Sequence, residues 1–401
     1  MAQRFVVRKG YLSKISAFRD KTDIVKVVTG VRRCGKSTLM LQFMDVLKKD
    51  GVSEKEIVHI NLEEPEYFDV KDAGDLAGIV FPMVPKTGRC YVFLDEIQRA
   101  EGWERVVNSL VSGTEADVYI AGSNAHLLSS ELSTYLAGRY VSIDMLPLSF
   151  AEWKEFRGEG LDNTAAFYRY MTCGGFPGVD PSMGDVSVKS MLRDMYASIV
   201  KWDIASRGQI RNMEELDRLM SYLMHNIGNP MSLNSIVEGM GVSRDLVDKY
   251  INLMKEAFVI YRADRYDMRS SALNPSPKYY VVDPGLRDMA VGFSQKDAGR
   301  VLENIVYLEL IRRGCTVQVG KYGAREIDFV ASPTTGGRGY YQVCLSMNDE
   351  DTAERELSVF RSVKDSFPKT VLTLDPVVRH STDEGIVIMS VTEWLLGRTD
   401  R

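Results

Sequence analysis

The chain has 401 residues, 45% of them apolar and 26% charged, with a formal net charge of −5. That length exceeds what one hydrophobic core organises, so two or three domains are expected, and the composition gives no reason to expect long disordered tracts. The acidic balance excludes a global positive field that would draw in nucleic acid, and no run of 18 apolar residues is present to form a membrane-crossing helix. The five cysteines (34, 90, 173, 315 and 344) are scattered and form no C-x-x-C or Cys/His cluster, so no zinc site is expected. With an amino-terminal stretch lacking an apolar core and a cleavage site, a cytoplasmic location and no membrane partner are expected.

In chain order, residues 24–29 read as a short β-branched strand, and 37–49 as a helix with Leu39, Met40, Phe43, Val46 and Leu47 at helical spacing. Strands follow at 57–62, 90–94, 118–121 and 140–145. Alternating strands and helices predict a parallel α/β sheet over residues 1–147. Residues 148–225 read mostly as helix, a lid-like region interrupted at Gly174-Gly175-Phe176-Pro177. Residues 226–296 read as short helices and two strands, 258–261 and 279–282, with the turn between them at Asn274-Pro275-Ser276-Pro277. Residues 297–401 form a further α/β segment: a helix over 299–313, strands at 316–319, 326–330, 340–345 and 370–374, and a helix over 352–364.

Gly30, Val31, Arg32, Arg33, Cys34, Gly35, Lys36, Ser37 and then Thr38 spell G-x-x-x-x-G-K-S between a strand and a helix. Glycines let the backbone wrap phosphates without Cβ clashes, and N–H groups at the helix start face the anion. The pattern predicts ATP as ligand, Lys36 reaching its β- and γ-phosphates, and Ser37 on Mg²⁺. At the end of the apolar run Tyr91-Val92-Phe93-Leu94, Asp95 is expected to hold Mg²⁺ and Glu96 to polarise the attacking water. Asn124, after the fourth strand, has the position of a γ-phosphate sensor or of an ordinary turn residue. Arg139 reads as an arginine finger reaching a neighbouring subunit's nucleotide, or as a surface ion-pair residue.

The motifs GVRRCGKSTL, VFLDEIQ, AGSNAHLLS, LAGRY and LPLSFAEW resemble those of the prokaryotic AAA-type ATPases that carry a C-terminal DUF4143 domain, as do GGFP at 174–177, the 196–203 stretch, IDFV and YYQVCLS. The resemblance implies an AAA+-like core with strand order 5-1-4-3-2, and self-association with a hexameric ring as its form.

Residues 231–254 read as helix, turn, helix, with Ser243 as N-cap, and the strands after them as a wing. That is the pattern of a winged helix, a common DNA-binding module. Arg244 and Lys249 are the DNA contacts expected from the second helix, and Arg262, Arg265, Arg269 and Lys278 those expected from the wing, although interleaved aspartates reduce the field. In the last segment Glu303 on a helix, Asp328 on a strand and Gln342 on the next strand resemble the PD-(D/E)xK restriction-endonuclease-like pattern. Gln342 stands where an acid belongs and Cys344 where the lysine belongs, so a retained fold without cleavage is expected. Two functions fit these parts. One is an ATP-hydrolysing machine that binds and remodels or moves along DNA, with branched or recombination DNA suggested by fold analogy. The other is a nucleotide-gated switch that binds a protein partner and hydrolyses slowly.

Overall fold

The structure, a computed structural model, describes residues 5–85, 87–123, 136, 138–157, 160–268, 270, 273–323 and 325–397. The chain divides into two compact units. One runs to Met145 and includes Glu256–Phe258; the other comprises Leu146–Lys255 and the chain from Val259 onward.

The first unit is built on strands β1 (Val25–Thr29), β2 (Ile57–Asn61), β3 (Cys90–Asp95), β4 (Ala116–Gly122) and β5 (Tyr140–Asp144). They pair in parallel in the order β2-β3-β4-β1-β5. This is the 5-1-4-3-2 order that the family resemblance implied. Every residue of β1, β3 and β4 is buried, as expected for a parallel sheet covered on both faces. Helices α1 (Lys9–Ser16), α2 (Lys36–Lys49), α3 (Ala73–Met83) and α4 (Trp103–Gly113) supply the cover. One core joins Val27, Val92, Leu94, Val118 and Ile120 to Val106, Val107 and Leu110 of α4. Elsewhere in the unit Phe43 of α2 meets Phe93 and Tyr119, whose rings stack at 4.7 Å. The one cation inside β1, Lys26, is fully buried against Asp117 and donates to the carbonyls of Lys21 and Ile24, so its charge is not orphaned.

The second unit begins with helices α5 (Phe150–Arg157), α6 (Asn163–Cys173), α7 (Asp185–Ser198), α8 (Met213–His225), α9 (Leu233–Met240) and α10 (Arg244–Glu256). A π-helical turn, Ile199–Ala205, extends α7. Gly174 ends α6 at φ +73°, and a Cβ there would stand 2.0 Å from Asp283 Oδ1, which explains the glycine at the interruption read in the sequence. Gly241, in the left-handed region, closes α9, and Ser243 Oγ accepts the Leu246 N–H at 3.3 Å to start α10.

Next come β6 (Ile260–Asp267), β7 (Leu273–Val281), α11 (Pro284–Val291), α12 (Ala298–Arg312), β8 (Cys315–Tyr322), β9 (Arg325–Pro333), β10 (Gly339–Cys344), α13 (Glu350–Arg361), β11 (Lys369–Thr373), β12 (His380–Ser381), β13 (Val387–Ser390) and α14 (Val391–Leu395). The strands make one eight-stranded sheet in the order β12-β13-β11-β10-β9-β8-β6-β7. β8, β9 and β10 form an antiparallel meander, and β10 pairs in parallel with β11 after the α13 crossover.

Two readings of the sequence change here. The pair taken as a wing is the end of this sheet, since β6 pairs in parallel with β8 through Arg265–Val319 and Asp267–Lys321. The prolines taken as the turn at 274–277 lie inside β7. β7 is an edge strand, where a missing N–H need not break the sheet's ladder. Among the described residues no helix is long and apolar enough to cross a membrane.

Candidate functional site

The carboxyl ends of the parallel strands carry the polar residues of the first unit. After β1 the chain turns sharply at Gly30, where a Cβ would lie 2.1 Å from the Met145 carbonyl oxygen, so only glycine fits. Arg33 and Gly35 take positive φ, and α2 then starts at Lys36 with no side chain capping it. Its first N–H groups are therefore left to an anion. Lys36 is buried, and its Nζ rests on the loop's own carbonyls, Gly30 at 3.1 Å and Val31 at 3.3 Å, rather than on an acid. Arg8, also buried, holds the loop from behind by donating to the Cys34 carbonyl at 3.1 Å. Cys34 is fully enclosed, and burial pushes its thiol up, so it is packing rather than a nucleophile. Val31 is buried, Arg33 is exposed, and Ser37 and Thr38 are half-buried on the first turn of α2. Arg32 reaches Glu63 at 3.3 Å, and Arg99 shares that acid at 3.7 Å.

Asp95 is the last residue of β3 and is fully buried. Its Oδ1 accepts the Glu96 N–H at 3.0 Å, while Oδ2 is buried with no hydrogen-bond partner. Glu96 takes a left-handed conformation, φ 51° and ψ 38°, uncommon for a residue with a Cβ and a mark of functional strain. Its carboxyl is buried and lies above the ordinary carboxylate range: burial raises it most, the Lys36 charge opposes, Asp95 and Glu63 add, and a hydrogen bond from Gln98 Nε2 opposes. Lys36, Asp95 and Glu96 thus share one electrostatic environment, as their motifs require.

Sequence reading passed over two features of this edge. Gln98 is one; its only signal was its place two residues after Glu96. The other is Asp144, at the end of β5, which accepts from Thr29 Oγ1 at 2.6 Å and Ser142 Oγ at 2.5 Å and so ties β5 to the strand leading into the phosphate loop. Arg139 is exposed; its side chain donates to the Leu136 carbonyl at 3.2 Å and to Asn108 Oδ1 at 3.3 Å. Asn124 and Arg269 lie outside the described residues.

In the second unit the expected DNA contacts separate. Arg244 and Lys249 are exposed on α10, Arg244 with Asn234 at 3.4 Å. Arg262 is exposed and paired with Asp264 at 2.7 Å. Arg265 and Lys278 are not available as surface cations, which corrects their assignment to a DNA face. Arg265 bonds Glu326 at 2.5 Å, and Lys278 is only 3% exposed, with Nζ 2.8 Å from Glu303 and 2.9 Å from Glu326. The cause is the pairing of β6 with β8, which turns these residues toward the acids of β9 and α12.

Glu303 accepts from both Lys278 and Tyr280, the latter at 2.6 Å. Asp328 is held by the Val343 N–H at 2.9 Å, and its own N–H donates to Gln342 Oε1 at 3.3 Å. The three residues of the PD-(D/E)xK pattern are therefore brought into one cluster, with a lysine of β7 among them. Burial and then Glu303 push the Asp328 carboxyl well above its usual range, with Lys278 opposing. Cys344 is buried, and its thiol is pushed up to about 12, chiefly by burial. Among the described residues no group of three or more His, Cys, Asp or Glu is arranged to hold a metal ion.

A parallel 5-1-4-3-2 sheet, an uncapped helix after G-x-x-x-x-G-K-S and a buried Asp-Glu pair on the adjacent strand end define a P-loop domain of the AAA kind. Residues 22–154 match a family described as AAA domain, and residues 164–297 match one described as Domain of unknown function (DUF8612). The latter stands where the resemblance had placed DUF4143. An uncharacterized protein of Haemophilus influenzae is 36% identical over 409 residues, covering 99% of this chain and 100% of that protein. The chain belongs to the family of that protein. An uncharacterized protein of Methanocaldococcus jannaschii is 28% identical over 363 residues, covering 85% of this chain and 79% of its own length. Slighter likenesses link the chain to two solved structures. One is the Aeropyrum pernix ORC1 protein in complex with DNA (TM-score 0.29, 12% identity, 72% of this chain and 92% of that one). The other is a DNA polymerase III gamma subunit-related protein of Thermotoga maritima (TM-score 0.29, 11% identity, 62% and 99%).

Proposed function

We propose that the protein is a magnesium-dependent ATP hydrolase of the AAA+ kind that binds DNA and uses hydrolysis to remodel it or move along it. The observation that carries the hydrolase reading is the Asp95–Glu96 pair: a fully buried carboxylate oxygen without a partner, beside a buried, strained glutamate in the field of Lys36. A buried acceptor of this kind fits a hydrated cation, and Ser37 with Asp95 would hold Mg²⁺, which when bound offsets the charge of the phosphates. Lys36 leaves the loop carbonyls for the β- and γ-phosphates, and the N–H groups at the start of α2 take the remaining phosphate oxygens. Glu96 accepts a proton from the attacking water. Arg139, exposed at the start of β5, is the arginine that a neighbouring subunit in a ring would receive, and a hexamer is the form that ring would take.

The DNA reading rests on the second unit. Helices α9 and α10 followed by strands β6 and β7 support a winged-helix-like module that offers Arg244, Lys249 and Arg262. The order α12-β8-β9-β10-α13-β11, with Glu303 and Asp328 on its first helix and second strand, supports a restriction-endonuclease-like fold. Gln342, Cys344 and the ammonium of Lys278 among the acids argue that this domain holds DNA, branched or recombination intermediates included, without cutting it.

One observation favours a second reading, a nucleotide-gated switch with a protein partner: Arg262, Arg265 and Lys278 are all paired with acids. ATP turnover with single-stranded, duplex and four-way-junction DNA separates the two. Stimulation that falls steeply with salt is the expected result; slow turnover indifferent to every DNA favours the switch.

A further inference from the structure

Among the polar groups of the first unit, Gln98 is one that the nucleotide motifs leave without a role. It sits in the short 3-10 turn Ile97–Arg99 that directly follows Glu96. Its Nε2 donates to Glu96 Oε2, and its Oε1 is buried with no hydrogen-bond partner. A buried amide oxygen left unpaired is destabilising by about 1–3 kcal/mol, so such an atom in a native site calls for a missing partner. Two buried oxygens without partners, Asp95 Oδ2 and Gln98 Oε1, therefore flank Glu96 in the chain. The first is accounted for by the hydrated cation. The second is an acceptor, so its partner is a donor, and it belongs to the side chain already bonded to Glu96.

We propose that Gln98 positions the attacking water together with Glu96. Nε2 holds the Glu96 carboxylate in one orientation, and Oε1 accepts a hydrogen bond from the water that Glu96 deprotonates. In the step, the water oxygen forms its bond to the γ-phosphorus as the bond from that phosphorus to the β–γ bridging oxygen breaks. ADP leaves with the electron pair, one water proton passes to Glu96, and the other proton stays on the new phosphate while bonded to Gln98. The amide gains and loses no proton. Two anchors fix both directions of the water, whereas a lone carboxylate fixes one, and such orientation is a recognised source of rate.

This inference rests on the hydrolase reading, and the test separates the two. Steady-state ATP turnover and binding of a fluorescent ATP analogue are measured for Gln98→Ala, Gln98→Met, Glu96→Gln and the Glu96→Gln/Gln98→Ala double variant. Gln98→Ala is expected to lower kcat by about 10- to 100-fold with nucleotide affinity unchanged, the size expected for one group that orients a water. Because both side chains act on one water, the double variant should be no slower than Glu96→Gln alone. Gln98→Met keeps the side-chain length without either hydrogen bond, so it repeats the kcat loss if the alanine variant folds poorly. A wild-type kcat in the Gln98 variants overturns the inference. So does a loss that multiplies with that of Glu96→Gln, or a loss confined to nucleotide affinity and melting temperature. A wild-type rate in Glu96→Gln instead overturns the hydrolase assignment itself, whatever Gln98 does.

Discussion

The Lys278 ammonium lies 2.8 Å from Glu303 Oε1 and is 3% exposed, so a cation from β7 serves acids of α12 and β9. Breaking such a buried pair by removing one partner leaves an uncompensated charge. Lys278→Met should therefore destabilise the protein by about 3–5 kcal/mol. Adding Glu303→Gln should recover part of that, since it removes the charge left behind. Urea unfolding of the three proteins checks this; a single variant that unfolds at the wild-type midpoint would mean the cluster is solvated and unimportant.

Lys36 and Glu96 predict opposite phenotypes. Lys36→Ala removes the mobile cation facing the phosphates, and losing a hydrogen bond to a charged group should weaken ATP binding by about 10- to 100-fold. Glu96→Gln keeps the size and removes the base, so binding persists while hydrolysis slows by about 10²- to 10⁴-fold. Equilibrium binding and single-turnover hydrolysis on the same preparations distinguish them.

Arg139 has only uncharged partners, the Leu136 carbonyl and Asn108, among the described residues, and so keeps its charge available. If it acts in trans, Arg139→Ala loses hydrolysis and keeps ATP binding. Mixing it with Lys36→Ala subunits then restores part of the activity, because a mixed interface pairs an intact pocket with an intact finger. No recovery in mixtures shown to co-assemble would assign Arg139 a role within its own subunit.

What the sequence disclosed was set by how local each signal is. The phosphate loop was legible because its spacing is covalent: Gly30, Gly35 and Lys36 do their work within one turn of chain. Burial fixed β1, β3 and β4, whose continuous apolar runs suit only a covered parallel sheet. Lys278 was misread because its partners lie 25 or more residues away and depend on a pairing, β6 with β8, that no local pattern announces. Pro275 and Pro277 were misread because proline normally ends a strand, and only an edge strand tolerates it. Gln98 carried no motif of its own; its importance appears only when its hydrogen bonds are counted.

Asp283 supplies a pH dependence. Its carboxyl joins two elements, accepting from Gly175 N–H at 2.6 Å and from Leu286 N–H at 3.1 Å at the start of α11. Burial nevertheless pushes it up to about 6 against an ordinary value of 3.8, with the backbone N–H groups opposing. Between those values the folded chain holds a proton that the unfolded chain releases. The contribution is therefore complete below about pH 4 and lost as pH rises through about 6, a change on the order of 3 kcal/mol. Asp283→Asn cannot titrate. Its stability relative to wild type should improve by that order between pH 4.5 and pH 7, even though it starts lower for want of one acceptor. Parallel stability curves in urea titrations at the two pH values would refute the assignment.

The basic surface of the second unit decides whether DNA is the substrate. Arg244, Lys249 and Arg262 are exposed, and of these three Arg262 is the one held by an acid, Asp264, among the described residues. Each cation that meets a phosphate releases a counterion, so the salt dependence of binding reports how many phosphates the protein neutralises. Arg244→Ala with Lys249→Ala should weaken duplex binding at every sequence and reduce the slope of log affinity against log salt by roughly 2, about one for each phosphate left without its cation. Arg262→Ala should change it less, because Asp264 already neutralises part of that charge. Arg265→Ala should act on stability instead of on DNA, since its guanidinium is committed to Glu326. Basal ATP turnover should survive in the α10 variants, whose side chains belong to a different unit from the phosphate loop. Fluorescence anisotropy over a salt series measures the slopes. An unchanged slope in the α10 double variant, with wild-type DNA affinity, removes this face from the DNA reading and leaves the protein-partner switch as the better account of the second unit.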